Sequence, residues 1–94
     1  MNWQSVVSVV IDNIEYQLCL TVGTYGHNWI FTAEDITATA DNSKLLPQKI
    51  YFNFDKDKKY LSCFPPKIIS ANTSNAIINE IKKQETSWIK GIRS

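Results

Sequence analysis

The chain has 94 residues, of which 44% are hydrophobic; this is typical of one ordered globular domain, residues 1–94, and excludes a disordered tail. The net charge of +1 hides an asymmetry: residues 1–43 carry −5, from five acidic residues alone, and residues 44–94 carry +6, from ten basic and four acidic residues. Such a split favours a charged partner or a homodimer, unless the two halves interleave in the fold.

Residues 3–22 are predicted to form a β-hairpin. Apolar and polar residues alternate from Ile14 onward, and Asp12-Asn13 tolerates the positive φ angles of a two-residue type I′ turn. This turn places Ile11 opposite Ile14 and brings the apolar residues of both strands to one face of the hairpin. The other predicted pairs on that face are Val9 with Tyr16, Val7 with Leu18 and Trp3 with Val22.

The segment after this hairpin is ambiguous. Asn28–Phe31 is predicted as a third strand, and residues 33–42 are compatible with a helix or with a strand. Thr32 suits a helix N-cap because acidic residues follow it, whereas later threonines favour a strand. An extended segment would place the charged Asp35 on the same face as Trp29, so we expect a short helix after strand three.

A second hairpin is predicted in the basic half of the chain. Apolar residues alternate over residues 50–54 and 60–64, and a four-residue turn at residues 55–58 pairs Phe52 with Leu61. The opposite face then carries two tyrosines that lie diagonally and touch. The residues expected on that face are Tyr51, Asn53, Tyr60 and Ser62, and the expected apolar face also pairs Ile50 with Cys63.

The C-terminal segment has the clearest helical pattern. Apolar residues recur at helical spacing from Ile77 to Ile92, and Thr73 or Ser74 can cap the helix. The apolar stripe must be buried, and the hydrophobic face of the sheet is its expected partner. The predicted fold is therefore α+β: a four- to five-stranded, mainly antiparallel sheet built from two β-hairpins, with a C-terminal amphipathic helix packed on one face.

Motifs that carry chemistry are absent from the sequence. The one histidine, His27, follows turn-forming glycines and has no partner at the spacing of a catalytic triad or a zinc site. Cys19 and Cys63 are too far apart for a CxxC motif and are expected to be reduced thiols. We therefore expect no enzymatic activity, no metal and no cofactor, with an enzyme centred on His27 as a minor alternative.

No apolar run approaches the ~20 residues that span a bilayer, so a soluble, cytoplasmic protein without a membrane segment is expected. Two groups of residues are candidates for binding a partner. One is the loop after the first hairpin, if Trp29 is exposed; the other is the outer face of the second hairpin, if the helix does not cover it. The loop contributes Tyr25, His27, Asn28 and Trp29, and the hairpin contributes Tyr51, Tyr60, Lys56, Lys58 and Lys59.

Two functions are compatible with these residues. The leading hypothesis is a small, non-enzymatic protein-binding module that occludes a larger partner, such as a toxin or a host enzyme, as microbial or phage immunity proteins, antitoxins and inhibitors do. The alternative is a single-stranded nucleic-acid-binding module, in which bases stack on Tyr51 and Tyr60 while lysines contact phosphates. Because Arg93 is the only arginine, specific base readout is disfavoured.

Overall fold

The chain forms one antiparallel sheet followed by two helices, in a computed structural model that describes residues 3–25, 28–37, 46–55, 57–64 and 68–93. The five strands lie side by side in chain order, so each strand pairs only with its neighbours in sequence. The predicted α+β class, the antiparallel sheet and the C-terminal helix are confirmed. The elements are β1 (Gln4–Ile11), β2 (Ile14–Tyr25), β3 (Asn28–Asp35), β4 (Lys49–Asp55), β5 (Tyr60–Phe64), α1 (Ala71–Lys83) and α2 (Glu85–Arg93).

The first hairpin has the predicted turn and register. Asp12 and Asn13 have φ angles of 51° and 66°, which is the left-handed geometry that a type I′ turn requires. Val7 lies opposite Leu18, and Val9 lies opposite Tyr16. These apolar side chains are buried on the inner face of the sheet, the face that the helices cover.

The third strand runs further than predicted, and the short helix expected to start after Thr32 is wrong for residues 32–35. Thr32 lies opposite Thr21 of β2 and Tyr51 of β4, so strands on both sides hold it in an extended conformation. Pairing with two neighbouring strands outweighs the local capping preference of threonine. Residues 38–42, where the expected helix would have continued, lie outside the described residues.

The buried carboxylate that argued against a strand is accommodated by hydrogen bonds at the end of β3. Asp35 lies on the inner face and is 4% exposed. Its Oδ1 accepts a bond of 2.9 Å from the Thr37 N–H, and its own N–H donates to the Gln48 carbonyl at 2.9 Å. The Gln48 side chain also donates to the Asp35 carbonyl at 2.7 Å. A charged residue is tolerated here because buried polar atoms find partners.

The second hairpin has a register two residues away from the predicted one. Phe52 lies opposite Cys63 instead of Leu61, and Asp55 lies opposite Tyr60. The Asp55 carboxylate accepts the N–H groups of Asp57 and Lys58 at 3.0 and 3.2 Å, which places the turn after Asp55 rather than at it. Lys59 completes the turn with φ 53°. A shift of two residues leaves every side chain on its predicted face.

The C-terminal helix starts earlier than predicted and is interrupted once. Ser70 is its N-cap, since the Ser70 hydroxyl accepts the Thr73 N–H at 3.2 Å, and the predicted caps lie inside the helix. A turn at Gln84 separates α1 from α2. Helix α1 lies against both edge strands, β1 and β5. Because five strands spaced ~4.8 Å apart are wider than a helix of ~10–12 Å, the sheet must curl around α1.

Trp88 fills the centre of the core between the helices and the sheet. It is 1% exposed, and its ring lies 5.0 Å from Phe31 and 5.3 Å from Phe54, in edge-to-face geometry. Its indole N–H donates to the Ile81 carbonyl at 2.9 Å, and the same carbonyl accepts the Gln84 N–H at 3.1 Å. At the interruption of the helix, the Ile81 carbonyl lies outside the regular helical hydrogen-bond pattern and can therefore accept the indole N–H of Trp88.

Replacing Trp88 by phenylalanine removes this indole donor and leaves an aromatic ring in place. We expect Trp88→Phe to lower the free energy of unfolding by about 2–4 kcal/mol, since a cavity and a lost hydrogen bond add together. The matched control is Trp3→Phe, because the Trp3 indole donates at 3.0 Å to the exposed Ser87 hydroxyl, which water can also bond. If urea unfolding shows that Trp88→Phe loses no more free energy of unfolding than Trp3→Phe, the hydrogen bond to the Ile81 carbonyl does not contribute as expected.

Replacing Asp35 by alanine tests the hydrogen bonds at the end of β3. We expect Asp35→Ala to cost about 1–3 kcal/mol of stability, because the Thr37 N–H loses its acceptor in a partly buried position. Glu34→Ala is the matched control: Glu34 is the preceding residue, half-buried on the outer face, and its loss should stay within about 0.5 kcal/mol. Equal effects of the two variants in thermal denaturation would show that the Asp35 carboxylate does not stabilise the fold.

Candidate functional site

The outer face of the sheet carries three of the nine predicted binding residues, Asn28, Tyr51 and Tyr60, and the helices leave it uncovered. Tyr60 is 62% exposed and Tyr51 is 39% exposed, so neither tyrosine is buried beneath α1 or α2. Tyr60 lies opposite Asp55, whereas Tyr51 lies opposite Phe64. The two tyrosines are therefore four residues apart along the strands, roughly 13 Å, and the predicted contact between their rings is wrong.

One end of this face brings together residues that are distant in sequence. Asn28 is exposed and begins β3, and the backbone of Tyr25 lies opposite it. The last pair of β3 with β4 is Trp29 with Phe54, and the residues next to this pair at the end of the sheet are Asn28 and Asp55; Asp55 lies opposite Tyr60. Tyr25, Asn28, Asp55 and Tyr60 thus lie at the same end of four neighbouring strands. The side chain of Tyr25 and all of His27 lie outside the described residues.

Trp29 occupies the inner face of β3, where it is half-buried. Its ring stacks on Phe54 at 5.4 Å with an angle of 18° between the planes, and it meets Trp88 edge to face at 5.9 Å. These contacts extend the aromatic core to the end of the sheet. A role of Trp29 in binding stays a prediction, and its replacement is expected to disturb packing before it disturbs a partner.

The turn of the second hairpin presents cations beside Tyr60. Lys58 and Lys59 are exposed, and Lys56 lies outside the described residues. Carboxylates are interleaved with these lysines on the outer face and turn of β3–β5. Among the described residues there, three lysines, Lys49, Lys58 and Lys59, accompany three acidic residues, Glu34, Asp55 and Asp57, so the described residues carry both signs of charge in equal number.

Phe64 is an exposed aromatic residue that the sequence analysis did not select. It is 60% exposed at the end of β5, on the same face as Tyr60. The signal was present in the alternation of the strand, since Tyr60, Ser62 and Phe64 are each two residues apart. Tyr60, Phe64 and Tyr51 together are here named the aromatic surface.

A groove runs along β5 and connects the aromatic surface to α1. It has a volume of about 720 Å³ and is partly open to solvent. Tyr60 and Phe64 line it on the sheet side, while Ile78 and Lys82 line it on the helix side. Ile30 and Asn53 continue the groove onto the outer face, and no sequence pattern could have placed α1 beside β5 to form it.

A cysteine thiol is among the groups that line this groove. Burial raises the pKa of the Cys63 thiol, which keeps this group neutral and weakly nucleophilic near pH 7. Both cysteines are free thiols, as predicted, and they lie on opposite faces of the sheet. Within the ranges that the structure describes, no three histidine, cysteine or acidic residues converge on a potential metal site.

The two helices of the described chain, with 13 and 9 residues, are not long and apolar enough to cross a membrane. The chain was also compared with protein-family models, with curated proteins and with solved structures, and none of these comparisons gave a match.

Proposed function

We propose that this chain is a small, non-enzymatic protein-binding module that acts by occluding a larger partner protein, as inhibitors, immunity proteins and antitoxins do. The observation that carries the proposal is the pair of large aromatic residues on the edge strand β5. Tyr60 and Phe64 are both about three-fifths exposed and flank one open groove. Exposed aromatic residues beside a groove are typical anchors of protein interfaces.

The shape of the groove supports a macromolecular partner. Small-molecule sites enclose most of their ligand in a cavity with largely apolar walls. This groove is open and has polar residues, including Asn53, Ser62 and Ser74, between its apolar ones. An extended surface of a partner protein can place side chains between Phe64 and Ile78 while it hydrogen-bonds to the polar groups.

The charge of the surface supports a protein over a nucleic acid. Polyanions select surfaces where lysines accumulate without carboxylates, because binding is driven by neutralising phosphates. Here Lys49 lies opposite Glu34, and the lysines of the turn are interleaved with Asp55 and Asp57. Mixed charges of this kind suit a partner surface with charges of both signs, which selects the partner by complementarity.

The binding surface is tested with the double variant Tyr60→Ala/Phe64→Ala. Tagged wild-type chain is expected to capture one protein in stoichiometric amount from its cell of origin, and binding of that purified protein is then measured by calorimetry. The double variant should bind it at least about 30-fold more weakly, which corresponds to the ~2 kcal/mol of an interface hot spot. Occlusion also requires the partner's own activity to fall when the complex forms.

Ile36→Ala is the matched control for this experiment. Ile36 is an exposed apolar residue at the opposite end of the sheet and does not line the groove. The Ile36→Ala variant should leave the affinity for the partner unchanged. The wild type, the double variant and Ile36→Ala should all have the same unfolding midpoint. Equal binding by the double variant and the wild type, or the absence of a stoichiometric protein partner, would contradict the proposal.

A single-stranded nucleic-acid-binding module is the second candidate, because Tyr51 and Phe64 lie opposite each other on an open sheet face with Lys49 nearby. Titration of a labelled oligonucleotide at about 50 and 200 mM salt separates the two functions. The protein-binding proposal predicts no saturable binding at either salt concentration. Tight binding at low salt that weakens steeply at higher salt, and that is lost in Tyr51→Ala, would favour the nucleic-acid function instead.

A further inference from the structure

The two edges of the sheet differ in how well they are protected from pairing with another strand. β5 has five residues and lies in sequence between Lys58-Lys59 and Pro65-Pro66. Short strands, lysines and prolines are common means of protecting an edge. β1, at the other edge, has eight residues, QSVVSVVI, with no charge and no proline. β1 is therefore the edge that is open to pairing.

The direction of the β1 backbone groups follows from the first hairpin. In a two-residue hairpin the residues flanking the turn exchange both hydrogen bonds, and bonded and non-bonded pairs alternate from there. Ser8 and Gln17 form a non-bonded pair by this count. In agreement, the Gln17 N–H donates to Thr37 Oγ1 and its carbonyl accepts the Ile36 N–H, both at 2.9 Å. The backbone of Ser8 therefore points away from β2.

The same alternation directs the backbone groups of Gln4, Val6 and Val10 toward the open edge. All of these residues are exposed, and the two valines are 55% and 65% exposed on the outer face. In the part of the chain that the structure describes, no further strand lies beside β1. This edge thus combines a row of backbone donors and acceptors that no described strand bonds with two exposed apolar side chains.

The sequence of β1 is its own complement in an antiparallel pair. Residues 6–10 read VVSVV in both directions, with Ser8 at the centre. Two copies that pair about Ser8 place Ser8 opposite Ser8 and Val6 opposite Val10 of the second copy. Because the backbones of these residues all point outward, donors of one copy meet acceptors of the other at each of these pairs.

We propose that β1 pairs with β1 of a second copy of this chain, in a two-fold antiparallel arrangement centred on Ser8. The two five-stranded sheets then form one continuous sheet of ten strands. Each Val6 is covered by Val10 of the other copy, so both exposed valines gain an apolar cross-strand neighbour. An interface that maps one patch onto itself is the usual geometry of a homodimer.

The charges near this edge allow two copies to approach. β1 carries no charge, so the paired strands place no like charges opposite each other. Glu15 lies beside Val10 on β2, three strand spacings and four residues from Glu15 of the second copy, or roughly 20 Å. This distance exceeds the ~8 Å Debye length at physiological salt, so the acidic half of the chain does not oppose pairing.

The oligomeric state and its dependence on the valines test this proposal. Edge pairing covers less than the ~800 Å² per partner of a standard interface, so we expect a reversible dimer with a dissociation constant in the micromolar range. Sedimentation of the wild type from about 5 to 500 μM should show the monomer converting to a dimer. Val6→Lys/Val10→Lys places lysine opposite lysine and should raise the dissociation constant at least about tenfold.

A charge-reversed variant then tests the register. Val6→Glu/Val10→Glu should also be monomeric alone, and an equimolar mixture of the two double variants should form a heterodimer through Lys–Glu pairs. Both valines are exposed, so circular dichroism should show an unchanged fold. The proposal is overturned if the wild type stays monomeric at 500 μM, even if β1 then binds a strand of another protein. It is also overturned if the lysine variant still forms the dimer.

Crosslinking gives an independent test of the two-fold centre. Cα atoms of a hydrogen-bonded antiparallel pair lie about 5.5 Å apart, within the range that a disulfide spans, so Ser8→Cys should form a covalent dimer under mild oxidation. In Val10→Cys the two new thiols lie four residues apart, roughly 13 Å, and should not crosslink. The wild type, with free Cys19 and Cys63, controls for background. Equal crosslinking of the two variants would overturn the register about Ser8.

Discussion

The hydrogen bond from the Trp88 indole in α2 to the Ile81 carbonyl in α1 fixes the ring that joins the helices to the sheet. A ring as large as indole enters a core only when its N–H finds an acceptor, and the turn at Gln84 supplies one by freeing a carbonyl from the regular helical pattern. The ring then contacts Phe31 and Phe54, which belong to the central strands. The break in the helix and the aromatic core are therefore one feature.

The aromatic surface depends on this arrangement indirectly. Since the helices occupy the inner face, the aromatic residues of the outer face remain in solvent. Since α1 reaches β5, the edge of the sheet becomes one wall of a groove and not a free strand. The meander places β1–β3 of the acidic half beside β4 and β5 of the basic half, and α1 of the basic half also contacts β1. The two edge strands carry no charge and differ in length.

The parts of the fold that a short-range rule determines could be predicted from the sequence. Asp12 and Asn13 set a turn with only one register, and the alternation of β1 and β2 agreed with it. The parts that depend on contacts with residues distant in sequence could not be predicted. Thr32 has a capping preference, but β2 and β4 hold it in a strand, and the Asp35 side chain is acceptable in the core because its carboxylate accepts the Thr37 N–H. The register of the second hairpin differs from the predicted one by two residues, because Asp55 caps its turn. For the site, strand alternation sufficed to place Tyr60, whereas the groove required knowledge of where α1 packs.

The order of the strands has a consequence for the synthesis of the chain. Every strand pairs with the strand made just before it, so the whole sheet can assemble while the chain is still growing from its N-terminus. The residues that cover its inner face come last, and the Trp3–Ser87 bond joins positions near opposite ends of the sequence. Until Trp88 has left the ribosome, Phe31 and Phe54 lack their central neighbour. The nascent sheet thus passes through a stage in which its apolar inner face is open to solvent, and that stage is when the chain most needs protection from aggregation.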